Sequence, residues 1–346
     1  MNLKFVYVIV SGKDDYYAEQ ALISIYSLRK YNSNAQIVAV ADSESEKLFT
    51  GKRALIKSYA SEVIIADVPS ALNNFQKSRY IKTTLRKLIS GDFVYIDSDT
   101  VIQGDLGELS QIKHDIALAR HIEYTKPGFP LWVNLLKFYN KDIGAPEDEN
   151  YGITEAFNGG VMLCRDTEKC HVFFDRWHAL WYEDSVKYSY HWDQPSLWRA
   201  NAMSGNIIGE LVPIYNCRVI YPQNALRYLT KSKIFHYTIT SDRAGFIMGD
   251  KKFFDGLINE SGDTRCLDDF IENLKERYLN AVEVVDASEY DKLQSDFNDL
   301  KKDYDYLQDE KKILRGLPLV NIAETMSYKF PFITKILRKF KFGNKS

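Results

Sequence analysis

Asp97 and Asp99, two carboxylates one residue apart, close the apolar run Val94-Tyr95-Ile96 at the point where a buried strand would reach the surface. Hard divalent cations prefer carboxylate and phosphate oxygens, and ligands of open α/β sheets bind outside the carboxyl ends of the strands. An Asp-Ser-Asp triplet there, with Ser98 at its centre, suits a cation bridged to a diphosphate, although solvated turns carry the same residues. Just upstream, Arg79, Lys82 and Arg86 recur at i, i+3 and i+7, one face of a helix whose other face is Ile81, Leu85 and Leu88. Anion-binding and metal-binding groups would then converge on one crevice; the plainer alternative is a solvated charged face.

Two further segments carry polar groups where chemistry is possible. Asn158-Gly159-Gly160 puts an amide and two glycines just before an expected strand at Val161 to Cys164, where the backbone can approach a ligand closely. His191-Trp192-Asp193-Gln194-Pro195 presents a carboxylate and an amide at an expected helix start, with Pro195 suited to the first turn. A glycine turn and a helix cap are their bland counterparts.

The elements that must position these residues read as an α/β fold. Short β-rich runs alternate with helix-period segments over the first hundred residues, the pattern of parallel βαβ units. Strands are expected at Phe5 to Val10, Ile37 to Val40, Val63 to Ala66 and Phe93 to Ile96, with helices at Tyr17 to Tyr31 and Arg79 to Ile89, which is half of a doubly wound sheet. A strand follows at Asp115 to Ala119. Residues 121 to 155, broken by Pro127, Gly128 and Pro130, read as an insertion of the lid or binding-loop kind. A helix at Phe173 to Asp184, a short strand at Ile234 to Tyr237 and a helix at Phe270 to Leu279 complete the globular part.

Beyond it, Tyr290, Leu293, Phe297, Leu300, Tyr304, Leu307 and Leu314 step by threes and fours, with Lys311 in the remaining core position. That is a heptad seam, and residues 285–316 are expected to form a homo-oligomeric coiled coil. Residues 317–346 become basic and amphipathic, with no Asp or Glu after Glu324, and are expected to associate with an anionic membrane surface. Residues 1–284 form the expected main domain.

The 346 residues hold 45 Lys+Arg against 47 Asp+Glu, a net charge of −2, so no whole-molecule field favours nucleic acid. A composition 45% hydrophobic and 27% charged excludes collagen, a disulfide miniprotein and disorder throughout. Cys164, Cys170, Cys217 and Cys266 form no CxxC pair and fit a reducing compartment; Cys164, Cys170 and His171 match no common zinc spacing. The N-terminal apolar run is about seven residues before Lys13, too short for a signal peptide, and no stretch is long enough to span a bilayer. The expected location is cytoplasmic, peripheral on the inner face of the cytoplasmic membrane.

In order and in motif, residues 3 to 240 resemble the family 8 glycosyltransferases, the glycogenin and bacterial lipopolysaccharide galactosyltransferase group, which have the Rossmann-like GT-A fold. Asp97-Ser98-Asp99 matches the family's Asp-x-Asp, Asn158-Gly159-Gly160 its Asn-x-Gly donor-sugar loop, and Asp193-Gln194 its Asp-Gln pair. Tyr17 to Leu22 looks like its opening helix, Lys82 falls where it has a basic donor-binding residue, and His236 matches its late histidine ligand. The resemblance implies a retaining transferase using a nucleoside diphosphate sugar, with uridine the expected nucleoside and a glycan, lipid-linked or protein acceptor. It implies Mn²⁺ or Mg²⁺ on Asp97, Asp99 and His236, a nucleoside pocket lined by Val10, Ser11 and Tyr17, and diphosphate contacts from Arg79 and Lys82. Asn158 and Asp193 would orient sugar hydroxyls, and Gln194 would lie near the anomeric carbon. The family's lysine, proline and tryptophan after the histidine are replaced by Thr238-Ile239-Thr240-Ser241-Asp242-Arg243, which leaves Lys233, Arg243 or a tail residue as substitutes, or Arg79 and Lys82 alone. That departure keeps a second reading open, a non-catalytic sugar-binding scaffold displayed on a membrane by a coiled coil; a nucleotidyltransferase could also place carboxylates and a metal at a sheet edge, but only Gly12 is available for a phosphate loop near the first strand.

Overall fold

The computed structural model describes residues 3–121, 153, 155–218, 228–237, 251–258 and 263–276. The chain divides into two compact units, Met1–Val282 and Glu283–Ser346, and every described residue belongs to the first. The expected coiled coil, the basic tail, nearly all of the 121–155 insertion and the Thr238 to Arg243 segment lie outside the described residues.

Strand β1 (Lys4–Ile9) leads into α1 (Tyr17–Tyr31), which buries Ala18, Ala21, Leu22, Ile25 and Leu28 along one stripe. Strand β2 (Gln36–Asp42), short helices α2 (Ser43–Lys47) and α3 (Leu55–Tyr59), and β3 (Glu62–Ala66) follow. Helix α4 (Asn74–Leu88) precedes β4 (Phe93–Ile96) and β5 (Thr100–Ile102). It begins earlier than the expected Arg79 because its first turn is polar and fixed by a capping box, Asn73 to the Gln76 N–H and Gln76 back to the Asn73 N–H. Then come β6 (Ile116–Arg120), β7 (Phe157–Cys164), α5 (Glu168–Tyr188), α6 (Gln194–Met203), β8 (Ile208–Leu211), β9 (Cys217–Arg218) and β10 (Ile234–His236). Helices α7 (Lys251–Leu257) and α8 (Arg265–Glu272) close the described chain. Helix α8, expected a few residues later, is tied to α1 by Lys30 to Asp268 and Glu272.

Seven strands form one sheet in the order β3-β2-β1-β4-β7-β6-β8. The expected parallel half, β3-β2-β1-β4, is present, but β7 runs antiparallel to both β4 and β6, so the sheet is mixed. Side chains alternate between the two faces. Val94 and Ile96 pack toward α1, while Phe93 and Tyr95 pack toward α4 and α5 with Ile81, Leu85, Phe173 and Trp177.

A second sheet, β5-β10-β9, lies just beyond the end of β4. Its register decides the site. β10 runs antiparallel to β5 with His236 opposite Thr100, and the Tyr237 N–H donates to the Asp99 carbonyl at 2.8 Å. Antiparallel pairing of β4 with β7 sets Ile96 opposite Val161, and the Asp97 N–H donates to the Gly160 carbonyl at 2.7 Å. Residues more than a hundred positions apart thus meet at one strand end. Among the described residues no helix is long and apolar enough to cross a membrane.

Candidate active site

The turn after β4 is held on every side before it meets a ligand. Thr100 Oγ1 donates to the Asp97 carbonyl at 2.9 Å and lies 2.6 Å from Ser24 Oγ on α1, and Ser98 Oγ reaches the Val8 carbonyl at 3.4 Å. The two oxygens of Asp97 are divided between neighbours. Oδ1 accepts from the Tyr95 hydroxyl and lies 3.4 Å from Lys82 Nζ, while Oδ2 faces His236 Nε2 at 3.8 Å. Burial, then the charge of Asp97, pushes the Tyr95 phenol well up, so it remains a donor.

Asp99 Oδ1 lies 3.3 Å from the same His236 Nε2, and Asp97, Asp99 and His236 offer ligand atoms all within 4.8 Å of one another. One ring N–H can serve only one of two converging carboxylates, so the cluster fits a shared divalent cation. The imidazole is already oriented for it. His236 Nδ1 lies 2.7 Å from Asn216 Oδ1, Asn216 Nδ2 donates to Asn158 Oδ1 at 2.9 Å, and the Gly160 N–H donates to the same oxygen at 3.0 Å. Because an amide oxygen only accepts, the proton belongs on Nδ1 and the Nε2 lone pair faces the carboxylates. Asn216, in the short turn before β9, carries no sequence signal.

Gly160 serves this network and not a turn: Asn158-Gly159-Gly160 lies inside β7, fully buried. A Cβ on Gly160 would fall on the His236 ring, 2.7 Å from Nδ1 and 2.9 Å from Asn158 Oδ1, whereas one on Gly159 would make ordinary contacts, 3.5 Å to Lys82 Nζ and 3.6 Å to Leu197. Gly160→Ala is therefore expected to displace the histidine and weaken Mn²⁺ binding about 10- to 100-fold, the range for disturbed ligand support. Gly159→Ala should bind Mn²⁺ nearly as the parent does. Electron paramagnetic resonance of free Mn²⁺ reads both, and equal losses would contradict the assignment.

Lys82 links the metal cluster to the second acidic site. Its Nζ, almost entirely buried, lies 2.9 Å from Asp193 Oδ2 as well as near Asp97. Burial works against the ammonium, but Asp193 and then Asp97 outweigh it and lift its pKa above the ordinary lysine value. Burial likewise opposes the Asp193 carboxylate, and Lys82 and Arg79 outweigh it, holding its pKa below the usual range. Arg79 stacks its guanidinium 3.9 Å from the Phe75 ring centroid, and its Nε is 4.0 Å from Asp193 Oδ1. Three carboxylates against two cations leave the pocket acidic until a divalent ion arrives, after which it suits an anion.

Arg86 does not join this row. Its guanidinium turns to the Ile89 and Gly91 carbonyls beyond the end of α4 and lies 3.7 Å from Asp166, so it holds the α4 to β4 turn. Both expected faces of α4 are covered, because the helix packs against α5 as well as the sheet. Lys233 is occupied elsewhere, 3.0 Å from Glu108. Asp193 is the N-cap residue of α6 with Pro195 in the first turn, as expected, and Gln194 opens the helix.

Val10, Ser11 and Tyr17 stand at the carboxyl end of β1, next to β4. Ser11 is engaged by Ser45 Oγ (2.9 Å) and by Asp15, whereas Tyr17 is 46% exposed. The loop is organised by Arg53, which donates to the Gly12 and Asp15 carbonyls at 2.7 Å each and forms a buried fork with Glu19 at 2.9 Å. Nothing in the sequence pairs Arg53 with Glu19. Cys164, Cys170 and Cys217 are buried free thiols and Cys266 is exposed; among the described residues only Asp97, Asp99 and His236 group as metal ligands.

The family description "Glycosyl transferase family 8" matches residues 8–241. Similar solved structures include the WbbM bifunctional glycosyltransferase (17% identity, TM-score 0.49, covering 80% of this chain and 51% of that one). GlyE of Streptococcus pneumoniae TIGR4 is 18% identical, with TM-score 0.47 and 79% and 64% of the two chains covered. The galactosyltransferase LgtC, solved with donor and acceptor sugar analogues, is 14% identical, with TM-score 0.47 and 83% and 98% covered. The chain spans about half the length of the first of these and under two thirds of the second. No curated protein matches it.

Proposed function

Because the chain belongs to glycosyl transferase family 8, we propose that it moves a hexose from a uridine diphosphate sugar to a glycan, lipid-linked or protein acceptor with retention of configuration. The observation that carries this reading is the meeting of Asp97, Asp99 and His236 beside the buried Lys82 and Asp193 pair. A Mn²⁺ or Mg²⁺ ion on those three residues would neutralise charge building on the departing diphosphate.

The protein's own groups divide the remaining work. Lys82 and Arg79 supply fixed positive charge for the diphosphate, and Arg79 is the less neutralised of the two. Val10, Ser11, Ser98 and Tyr17 line the nucleoside side, with the exposed ring of Tyr17 offering a surface for the base. Asn158, whose Oδ1 is committed to Gly160 and Asn216, has its Nδ2 donors for sugar hydroxyls. Asp193 orients the same sugar, and Gln194 stands near its anomeric carbon. The acceptor hydroxyl attacks from the side the diphosphate leaves and gives its proton to a departing phosphate oxygen, so no separate general base is required.

Release of nucleoside diphosphate from a panel of uridine and guanosine diphosphate sugars, with and without Mn²⁺, tests the reading. Metal-dependent release from a uridine donor is expected. Binding without release would favour the scaffold, and pyrophosphate formation from a nucleoside triphosphate and a sugar phosphate would favour the nucleotidyltransferase.

We propose further that residues 285–316 form a coiled-coil homo-oligomer and that residues 317–346 hold the enzyme on an anionic membrane. Each basic residue near such a surface adds roughly 1 kcal/mol, and paired tails gain avidity through effective concentration. The full chain is expected to be at least dimeric by light scattering and to float with anionic vesicles at low salt, released by high salt. A chain ending at Ala287 should be monomeric and stay behind; equal behaviour of the two would reject both assignments.

A further inference from the structure

Trp177, Trp181 and Trp198 are buried, but Trp192 is 53% exposed. It is nevertheless fixed in place. The indole N–H of Trp181 donates to the His191 carbonyl at 3.0 Å, and that of Trp177 donates to the Asp193 carbonyl at 3.0 Å, so the peptide is held on both sides of residue 192 by α5. The His191 ring is tied to Ser185 Oγ at 3.0 Å, and Ser196 Oγ adds 2.9 Å to the Asp193 carbonyl. The exposed indole also rests against the Phe75 ring, centroids 5.4 Å apart at 75°, and Phe75 carries the Arg79 guanidinium on its face at 3.9 Å.

An exposed tryptophan ordinarily loses side-chain freedom when a ligand arrives; one whose backbone and flank are already held gives up less. Such an indole is a preorganised flat apolar surface with an N–H at its edge. The ligand that matches it is a pyranose, which presents axial C–H bonds on one face and hydroxyls around its rim.

Resting on the glycosyltransferase reading above, we propose that Trp192 is the platform for the acceptor saccharide. Position along the site selects acceptor over donor. Contacts run from the metal cluster through Asp97 and Lys82 to Asp193. A sugar touched by Asp193 would adjoin the diphosphate end, and an indole one Cα step of about 3.8 Å away, outside the run of contacts from the metal cluster to Asp193, would face the ring beyond it. The reaction brings an acceptor sugar to that place.

Indole N–H resonances of the full chain test this. The sequence has five tryptophans, and the signal missing from Trp192→Phe identifies residue 192. With Mn²⁺ and uridine diphosphate bound, titration with methyl β-galactoside, methyl β-glucoside, lactose and maltose should shift the Trp192 signal, for at least one saccharide, more than any other. Trp192→Ala should weaken that saccharide's binding at least tenfold, Trp192→Phe should keep part of it, and calorimetric affinity for uridine diphosphate with Mn²⁺ should change less than twofold in both. The proposal is overturned by a Trp192 signal indifferent to every saccharide, or by a loss of nucleotide affinity in Trp192→Ala, which would make the indole part of the donor pocket. Absence of nucleotide binding in the parent chain is a separate result that strikes the function and not the platform.

Discussion

Asp99→Asn is expected to lower metal-dependent sugar transfer about a thousandfold, roughly 4 kcal/mol of transition-state stabilisation, while the protein folds as before. The substitution keeps side-chain volume, and the backbone carbonyl of residue 99 still accepts from the Tyr237 N–H. It removes one of two carboxylates that converge on a single imidazole nitrogen, so the charge available to a cation falls while the packing around the turn is kept. Thermal unfolding should therefore shift little. Initial rates against Mn²⁺ concentration read the effect, with part of the activity returning at high metal. A variant with unchanged rate would remove Asp99 from the chemistry.

Lys82→Met should be the most destabilising change in the site, by about 3–5 kcal/mol, because it strands the buried Asp193 carboxylate, which the ammonium now neutralises, and removes the cation beside the half-buried Asp97. The pH dependence has a defined sign. In the parent, Asp193 has a depressed pKa, so its contribution is present above the ordinary carboxylate range and lost as pH falls through its folded value; the raised pKa of Lys82 is stabilising until pH rises through it, above the ordinary lysine value. Without Lys82, burial raises the carboxylate instead. The stability gap between variant and parent should be widest at neutral pH and narrow as the solution is acidified and Asp193 takes up a proton. Denaturant midpoints at pH 7.5 and 5 measure it, and a gap that widens in acid would contradict the pairing. Donor affinity should fall in the same variant.

Much of this site is legible in the sequence because it depends on local pattern. The stripe of α1, the apolar run of β4 and its acidic end, and the Asp193-Gln194-Pro195 helix start all stand where their residues place them. What escapes notice is long-range. Arg86 shares a helical face with Lys82, yet it is drawn to free carbonyls beyond the helix end, a demand set by the turn. His236 is a plain apolar-flanked histidine until β10 pairs with β5, and the family resemblance singled it out where spacing did not. Asn216 and Arg53 act through partners 20 and 34 residues away, and the antiparallel pairing of β7 with β4 is a long-range match that no local pattern announces. Gly160 shows the same limit: a glycine pair suggests backbone freedom, but its use here is room for the histidine ring.

In the proposed function, Asp97, Asp99 and His236 hold a divalent cation through which the nucleoside diphosphate is bound. Calorimetric titration of uridine diphosphate into the full chain, with and without Mn²⁺ and repeated in Asp99→Asn, tests it most directly. Affinity at least tenfold tighter with Mn²⁺ is expected in the parent, with little or no metal effect in the variant. Equal, metal-independent affinity in both proteins would contradict it.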